Sequence, residues 1–272
     1  MRWPWLVYNR CRILLAMVKQ HYMPSTKPVL IMQLRPEDET SDNEYAAILK
    51  YGQLNAASTR RLRIEKNGIP DDLDLDDYSA IIVGGSPFDI STPSAKKAAI
   101  QHKIEADFRR LLERVVALDF PFLGACSGNG LLGSYLGAPI SSTYREAVGC
   151  VTLDITDQGR ADKLLQGFPA QIDVLLGHKE ACDCTPAGAT LLMTGAQCPV
   201  QMFRVGEHVY ATQFHPEGDC EGFSVRIEVY RHHGYFEPHE AEQLVERVCR
   251  RETPYAQEIL RRFVACYYGA DE

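Results

Sequence analysis

The sequence predicts an α/β protein: an open, largely parallel central sheet with helices on both faces and a tight strand-to-helix elbow. Three observations carry that prediction. Short runs such as "PVLIMQL", "AIIVGGS" and "FPFLGA" are apolar almost throughout, as strands buried on both faces by helices must be. Segments with helical apolar spacing lie between them. Two of the apolar runs also end in glycine, at the strand ends where open α/β sheets bind their ligands.

The 272 residues suffice for one large α/β domain. Residues 1–27 read as an N-terminal extension, poorly ordered or a short surface helix. Arg2, Arg10 and Arg12 flank apolar stretches there, but "ILLAMV" is short for a signal peptide and no clear small-residue cleavage site follows it. Residues 28–268 read as a single domain. After "PVLIMQL", Asp42 is placed to cap the helix "NEYAAILKYGQLN". "RRLRIE" alternates like a strand, and "IPDDLDLDDYS" is an acidic connection. Its aspartates lack the glycine and the closing glutamate of a calcium loop. The helix "SAKKAAIQHKIEADFRRLLERVVAL" follows, with Ile104, Phe108, Leu111 and Val115 near helical spacing. Beyond "FPFLGA" comes the helix "GLLGSYLG", then the strands "GCVTLDIT", "LLMTG", "VQMFRVG" and "HVYATQF" in hairpin-like succession. The tail holds two helices broken near Pro254.

A net charge of −7 argues against nucleic acid or an anionic membrane as partner. No apolar run approaches the roughly eighteen residues of a spanning helix. Nine cysteines without a C-x-x-C pair suggest mostly reduced thiols, a cytoplasmic setting and no metal site. No cofactor is indicated.

The chemistry gathers around Cys126, in "FLGACSGNG". A cysteine on the turn between strand and helix points its sulfur out of the sheet, as the serine of a nucleophile elbow does. The first helical turn presents unpaired N–H groups and a positive dipole end, which favour thiolate and make Cys126 the expected most reactive thiol. The same stretch is equally compatible with a packed core cysteine and glycines that merely permit a bend. "QFHPEG" adds His215 and, two positions on, Glu217. In extended chain these point the same way, so the carboxylate can hold one imidazole nitrogen and leave the other for a thiol proton.

With "IIVGGS", "FLGACSGNGLLGSYLGA" and "CPVQMFRVGEHVYATQFHPEG" in this order and spacing, the chain resembles the class I glutamine amidotransferase family, specifically its GMP-synthase-like branch. The resemblance implies Cys126 as nucleophile, His215 as base and Glu217 as its orienting carboxylate. It implies an oxyanion hole from the N–H groups of Gly85 and Ser127, the kind of donor pair that stabilises a tetrahedral intermediate. Gly84, Asn129, Gly130 and His178 become the candidate substrate-binding positions, with "GSPFDIST" shaping one wall. His178 also reads as a solvated loop histidine.

The family pattern continues from the elbow to a glutamine that helps hold substrate, where this chain has Asn129 and Gly130. That departure leaves part of the pocket open and puts glutamine in question more than thiol chemistry. The expected activity is a cysteine-dependent amidohydrolase or amidotransferase acting on glutamine or another γ-glutamyl amide through a thioester. Its partners would be that small molecule and, for released ammonia, a synthase in trans. The alternative is a catalytically diverged binding or regulatory module.

Overall fold

The structure, a computed structural model, describes residues 23–233 and 236–269. The expected extension therefore lies mostly outside the described residues. In chain order the elements are β1 (Val29–Gln33), α1 (Asp38–Gly52), β2 (Thr59–Arg63), α2 (Ile64–Asn67), β3 (Ala80–Val83), α3 (Ala99–Leu118), β4 (Phe122–Ala125) and α4 (Ser127–Tyr135). There follow β5 (Ile140–Ser141), β6 (Glu146–Ile155), α5 (Asp157–Ala161), β7 (Gln171–His178), β8 (Ala181–Cys182), β9 (Thr190–Thr194), β10 (Met202–Val205) and β11 (Val209–Thr212). Three helices close the chain: α6 (Cys220–Val229), α7 (Ala241–Cys249) and α8 (Pro254–Tyr267).

The main sheet runs β2-β1-β3-β4-β11-β10-β9-β6-β7. It is parallel from β2 to β11 and antiparallel from β11 to β7. The uniformly apolar strands are explained by their two covered faces. Val29 and Ile31 pack toward Ile48 of α1 and Ile259, Leu260 and Phe263 of α8. Their neighbours Leu30 and Met32 pack toward Phe108 and Leu111 of α3 and Leu132 of α4. Successive side chains point to opposite faces, so only a continuous apolar run fills both cores.

Parallel pairing of β4 with β11 sets Ala125 beside Thr212, and the Cys126 N–H donates to the Thr212 carbonyl at 2.8 Å. The carboxyl ends of both strands thus lie side by side, which puts the elbow next to "QFHPE". Among the described residues no helix is long and apolar enough to cross a membrane.

Several expectations need correction. Helix α1 starts at Asp38, with Glu37 as N-cap; Asp42 lies inside it and pairs with Arg61 at 2.7 Å. The "RRLRIE" strand stops at Arg63, where the chain turns into α2. Strand β7 and helix α6 were not anticipated. Six described cysteines are free, but Cys220 and Cys249 are joined in a disulfide. They open α6 and close α7, which pack together.

Candidate active site

Cys126 adopts φ 51° and ψ −94°, a left-handed region that costs a non-glycine residue on the order of 1–3 kcal/mol. The flanking glycines explain how the chain accommodates it. A Cβ on Gly124 would lie 2.7 Å from the Gly128 carbonyl carbon, and one on Gly128 would press to 3.3 Å from Val83. Two missing side chains let α4 begin directly against β4, and the strained turn between them thrusts the cysteine outward.

At the end of β11, His215 Nδ1 lies 2.7 Å from Glu217 Oε1. Both are buried. The same carboxylate oxygen accepts from Arg226 Nη2 of α6 at 2.8 Å. Proximity to His215 and Arg226 holds the Glu217 carboxyl well below the usual range despite its burial. Burial lowers the pKa of His215, with Glu217 opposing and Arg226 reinforcing. Burial also pushes the Cys126 thiol up to about 12, with Arg35 as the main opposing charge. Burial thus works against the thiolate stabilisation expected from the helix end and favours the neutral forms of both groups. An ionised Glu217 beside Nδ1 favours a positive charge on the His215 ring.

A second charged group borders the first. Glu44, fully buried on the inner face of α1, accepts from Arg35 Nε at 2.8 Å and from Gln33 Nε2 at 3.2 Å. Its Oε1 also takes the Gly85 N–H at 3.2 Å. The proposed oxyanion donor at Gly85 is thus engaged by a carboxylate in this structure. Ser127, first residue of α4, has no intrahelical acceptor for its N–H.

Two cavities meet at Cys126. One is lined by Ser127, Gly130, His178 and the charged trio Asp89, Lys179 and Glu180. The other holds His215, Arg35 and Arg226 with an apolar wall that includes Phe223 and Tyr230. Gly130 borders the first, and a Cβ there would meet Ile90 Cδ1 at 3.0 Å and Glu180 Oε1 at 3.8 Å. Glu180 is fixed by the N–H groups of Ile90 and Ser91, each at 2.7 Å. These two side chains take part of the gap expected from the missing glutamine, and Gly130 still lines the polar cavity. Asn129 faces inward, its Oδ1 accepting from Cys182 Sγ at 3.3 Å. Gly84 lies against Glu44.

His178 is buried rather than a solvated loop residue. Its Nδ1 meets the Glu180 carbonyl and its Nε2 meets Glu146, both at 3.0 Å. With Cys198 these residues form a second cluster whose ligand atoms lie within 4.8 Å of one another, as do those of Glu44, His215 and Glu217. Neither donor set suits a metal ion. Arg35 and Arg226 already neutralise the carboxylates of one, and the histidine of the other has both nitrogens occupied.

Sequence reasoning missed Arg35, Glu44 and Arg226. Arg35 stands just past a buried strand end, and Glu44 sits on the α1 stripe shared with Thr40, Ala47 and Ile48. A charge on a core-facing stripe is the signal that was available.

A family model described as glutamine amidotransferase class-I matches residues 43–236, and the chain belongs to that family. Among curated relatives, it is 24% identical over 180 residues to a GMP synthase (glutamine-hydrolyzing) of Wolbachia pipientis wMel, covering 63% of this chain and 33% of the relative. It is 28% identical over 144 residues to one subunit of the GMP synthase (glutamine-hydrolyzing) of Sulfurisphaera tokodaii, covering 53% and 69%. It is 26% identical over 169 residues to γ-glutamyl peptidase 3 of Arabidopsis thaliana, covering 58% and 62%. The chain thus spans about a third of the full-length GMP synthases it matches. A glutamine amidotransferase structure from Thermotoga maritima superposes with a TM-score of 0.66 at 19% identity, over 88% of this chain and 99% of that one. That likeness bears on the fold.

Proposed function

We propose that this chain cleaves a γ-glutamyl amide through a thioester on Cys126. His215 takes the thiol proton as sulfur attacks the carbonyl carbon, and the C–N bond breaks as the imidazolium returns that proton to the leaving nitrogen. Water, deprotonated by His215, then attacks the thioester; the C–S bond breaks, the acid departs and the thiol is restored. Glu217 orients His215, and Arg226 positions Glu217. Ser127 N–H, with Gly85 N–H once it is released from or shared with Glu44, would stabilise the oxyanion. Asp89, Lys179 and Glu180 supply opposite charges for an α-amino-acid head group. Released ammonia or amine goes to solvent or to a synthase in trans, the latter reading favoured by the Sulfurisphaera relative, which is one subunit of its enzyme.

One observation supports the reading most. The His215 ring spends Nδ1 on Glu217, makes no other hydrogen bond among the described residues, and shares a cavity with Cys126. A binding module has no use for that constellation. The test is mass spectrometry of the protein quenched during turnover of a γ-glutamyl amide, with amine release followed in parallel. A γ-glutamyl adduct on the Cys126 peptide is the expected result. Amine release without that adduct, undiminished in Cys126→Ala, would overturn the mechanism.

A further inference from the structure

The second cavity at Cys126 has no role when the leaving group is ammonia. Together with the solvent-open space at its mouth it is about 470 Å³, against about 390 Å³ for the polar one counted the same way. Its wall is Val148, Phe223, Ile227, Tyr230 and Phe236, drawn from β6, α6 and the segment beyond α6. Proton transfer fixes which part of a substrate each cavity takes. The leaving nitrogen must lie within reach of His215, which lines the apolar cavity and not the polar one. The acyl part, with its charged head, then extends past Gly130 toward Asp89, Lys179 and Glu180.

Resting on the proposed thioester chemistry, we infer that the substrate is a γ-glutamyl amide of a bulky apolar amine, whose hydrophobic group fills the Phe223–Tyr230–Phe236 side. Glutamine would leave this cavity to water. Net charge does not oppose that class. The two guanidinium groups at the cavity, Arg35 and Arg226, are each paired with a buried carboxylate, Glu44 and Glu217. These pairs balance the formal charge of the cavity floor, while the buried Arg226 Nε and Nη1 have no hydrogen-bond partner among the described residues. Shape and apolar surface are left to choose the amine, which is how an apolar subsite discriminates.

The experiment compares kcat/KM for L-glutamine, γ-glutamyl-ethylamide and γ-glutamyl-benzylamide, read as amine release. The expected order is benzylamide over ethylamide over glutamine, with benzylamide about 10-fold or more above glutamine, the scale on which apolar pockets discriminate. Two variants reshape the wall from opposite directions: Val148→Trp fills the cavity and Phe236→Ala removes part of its lining. Each is expected to lower the benzylamide-to-glutamine ratio at least about fivefold. Should one variant fail to fold, the other still decides. Glutamine equal to or better than benzylamide, or a ratio that neither folded variant moves, overturns the inference and leaves the thioester reading intact. No adduct on Cys126 with any of the three amides would instead defeat the thioester reading.

Discussion

A cysteine, a histidine and a glutamate cluster at Cys198, His178 and Glu146, and Cys126 shares a cavity with His215 of the His215–Glu217 pair. The two settings separate what residue identity supplies from what geometry adds. Cys198, His178 and Glu146 are held on the antiparallel side of the sheet, and Cys198 is fully buried. Its thiol donates to the Val200 carbonyl at 3.7 Å, and burial pushes it up to about 12. Cys126 has a similarly raised thiol, so pKa does not separate the two. Access and a free nitrogen do. Cys126 is half-buried on a strained elbow at the meeting of two cavities, and its histidine has one nitrogen to spare. His178 has none, and Cys198 lines neither of those cavities. A buried Cys-His-Glu cluster is by itself a packing solution; it becomes a nucleophilic centre when the histidine keeps a nitrogen open toward a reachable sulfur.

The comparison is broken most sharply at the two sulfurs. Cys126→Ser is expected to lower amide turnover by at least about 10⁴-fold, whereas Cys198→Ser should stay within a few-fold of wild type. The check is steady-state amine release from both purified variants, and a larger loss in Cys198→Ser would exchange the two roles. At the carboxylates, Glu217→Gln is expected to cost about 10²- to 10⁴-fold in kcat, and Glu146→Gln far less.

Arg226→Met tests the positioning role assigned to that arginine, with a loss of about 10- to 100-fold and a change in pH profile. Arg226 lowers the His215 pKa, so its removal lets that pKa rise. The acid limb of kcat/KM then moves to higher pH. Arg226→Lys, which keeps the charge, should retain the wild-type limb; an unmoved limb in Arg226→Met would reduce the residue to packing.

Glu217 also ties the site to acid stability. Its folded pKa is depressed, so its contribution is present above the unfolded carboxyl value of about 4.3 and is lost as pH falls further. Denaturant midpoints should show wild type above Glu217→Gln at pH 7 and the gap narrowing below about pH 4. A constant gap would remove Glu217 ionisation from the stability of the fold. The smallest effect is expected at Gly130→Gln, a change of several-fold in KM for glutamine. It should need Ile90→Ala beside it, because Ile90 stands 3.0 Å from the new Cβ.

What the sequence made legible divides along the same line as the two clusters. The strands β1, β3 and β4 were readable because burial on both faces leaves almost no polar position within them. The elbow was readable because its glycines answer to backbone contact, which few other residues satisfy. Glu217 was readable from the short spacing to His215 on extended chain. Arg226 and Glu44 were not, since they reach the site from helices whose facing depends on packing across the sheet. Strand β7 escaped notice because "QIDVLLGH" mixes exposed and buried positions without strict alternation. Helix α6 did so because "CEGFSVRIEV" presents only a few scattered apolar residues. Asp219 does mark the start of α6, since its side chain accepts the Gly222 N–H at 2.8 Å. That cap is legible in hindsight as an Asp preceding a helical run.

The hydrogen bond from Cys126 N–H to the Thr212 carbonyl has a consequence for the growing chain. Among the described residues β11 is the last strand in chain order, yet it lies between β4 and β10 rather than at an edge. Until it docks, Cys126 lacks the partners that the proposed mechanism gives it, His215 and Glu217. On the proposed mechanism turnover requires this pairing, and α6 must then bring Arg226 against Glu217. Recovery of turnover during refolding is accordingly a reporter of that last long-range pairing, lagging any signal from β1, β3 and α3.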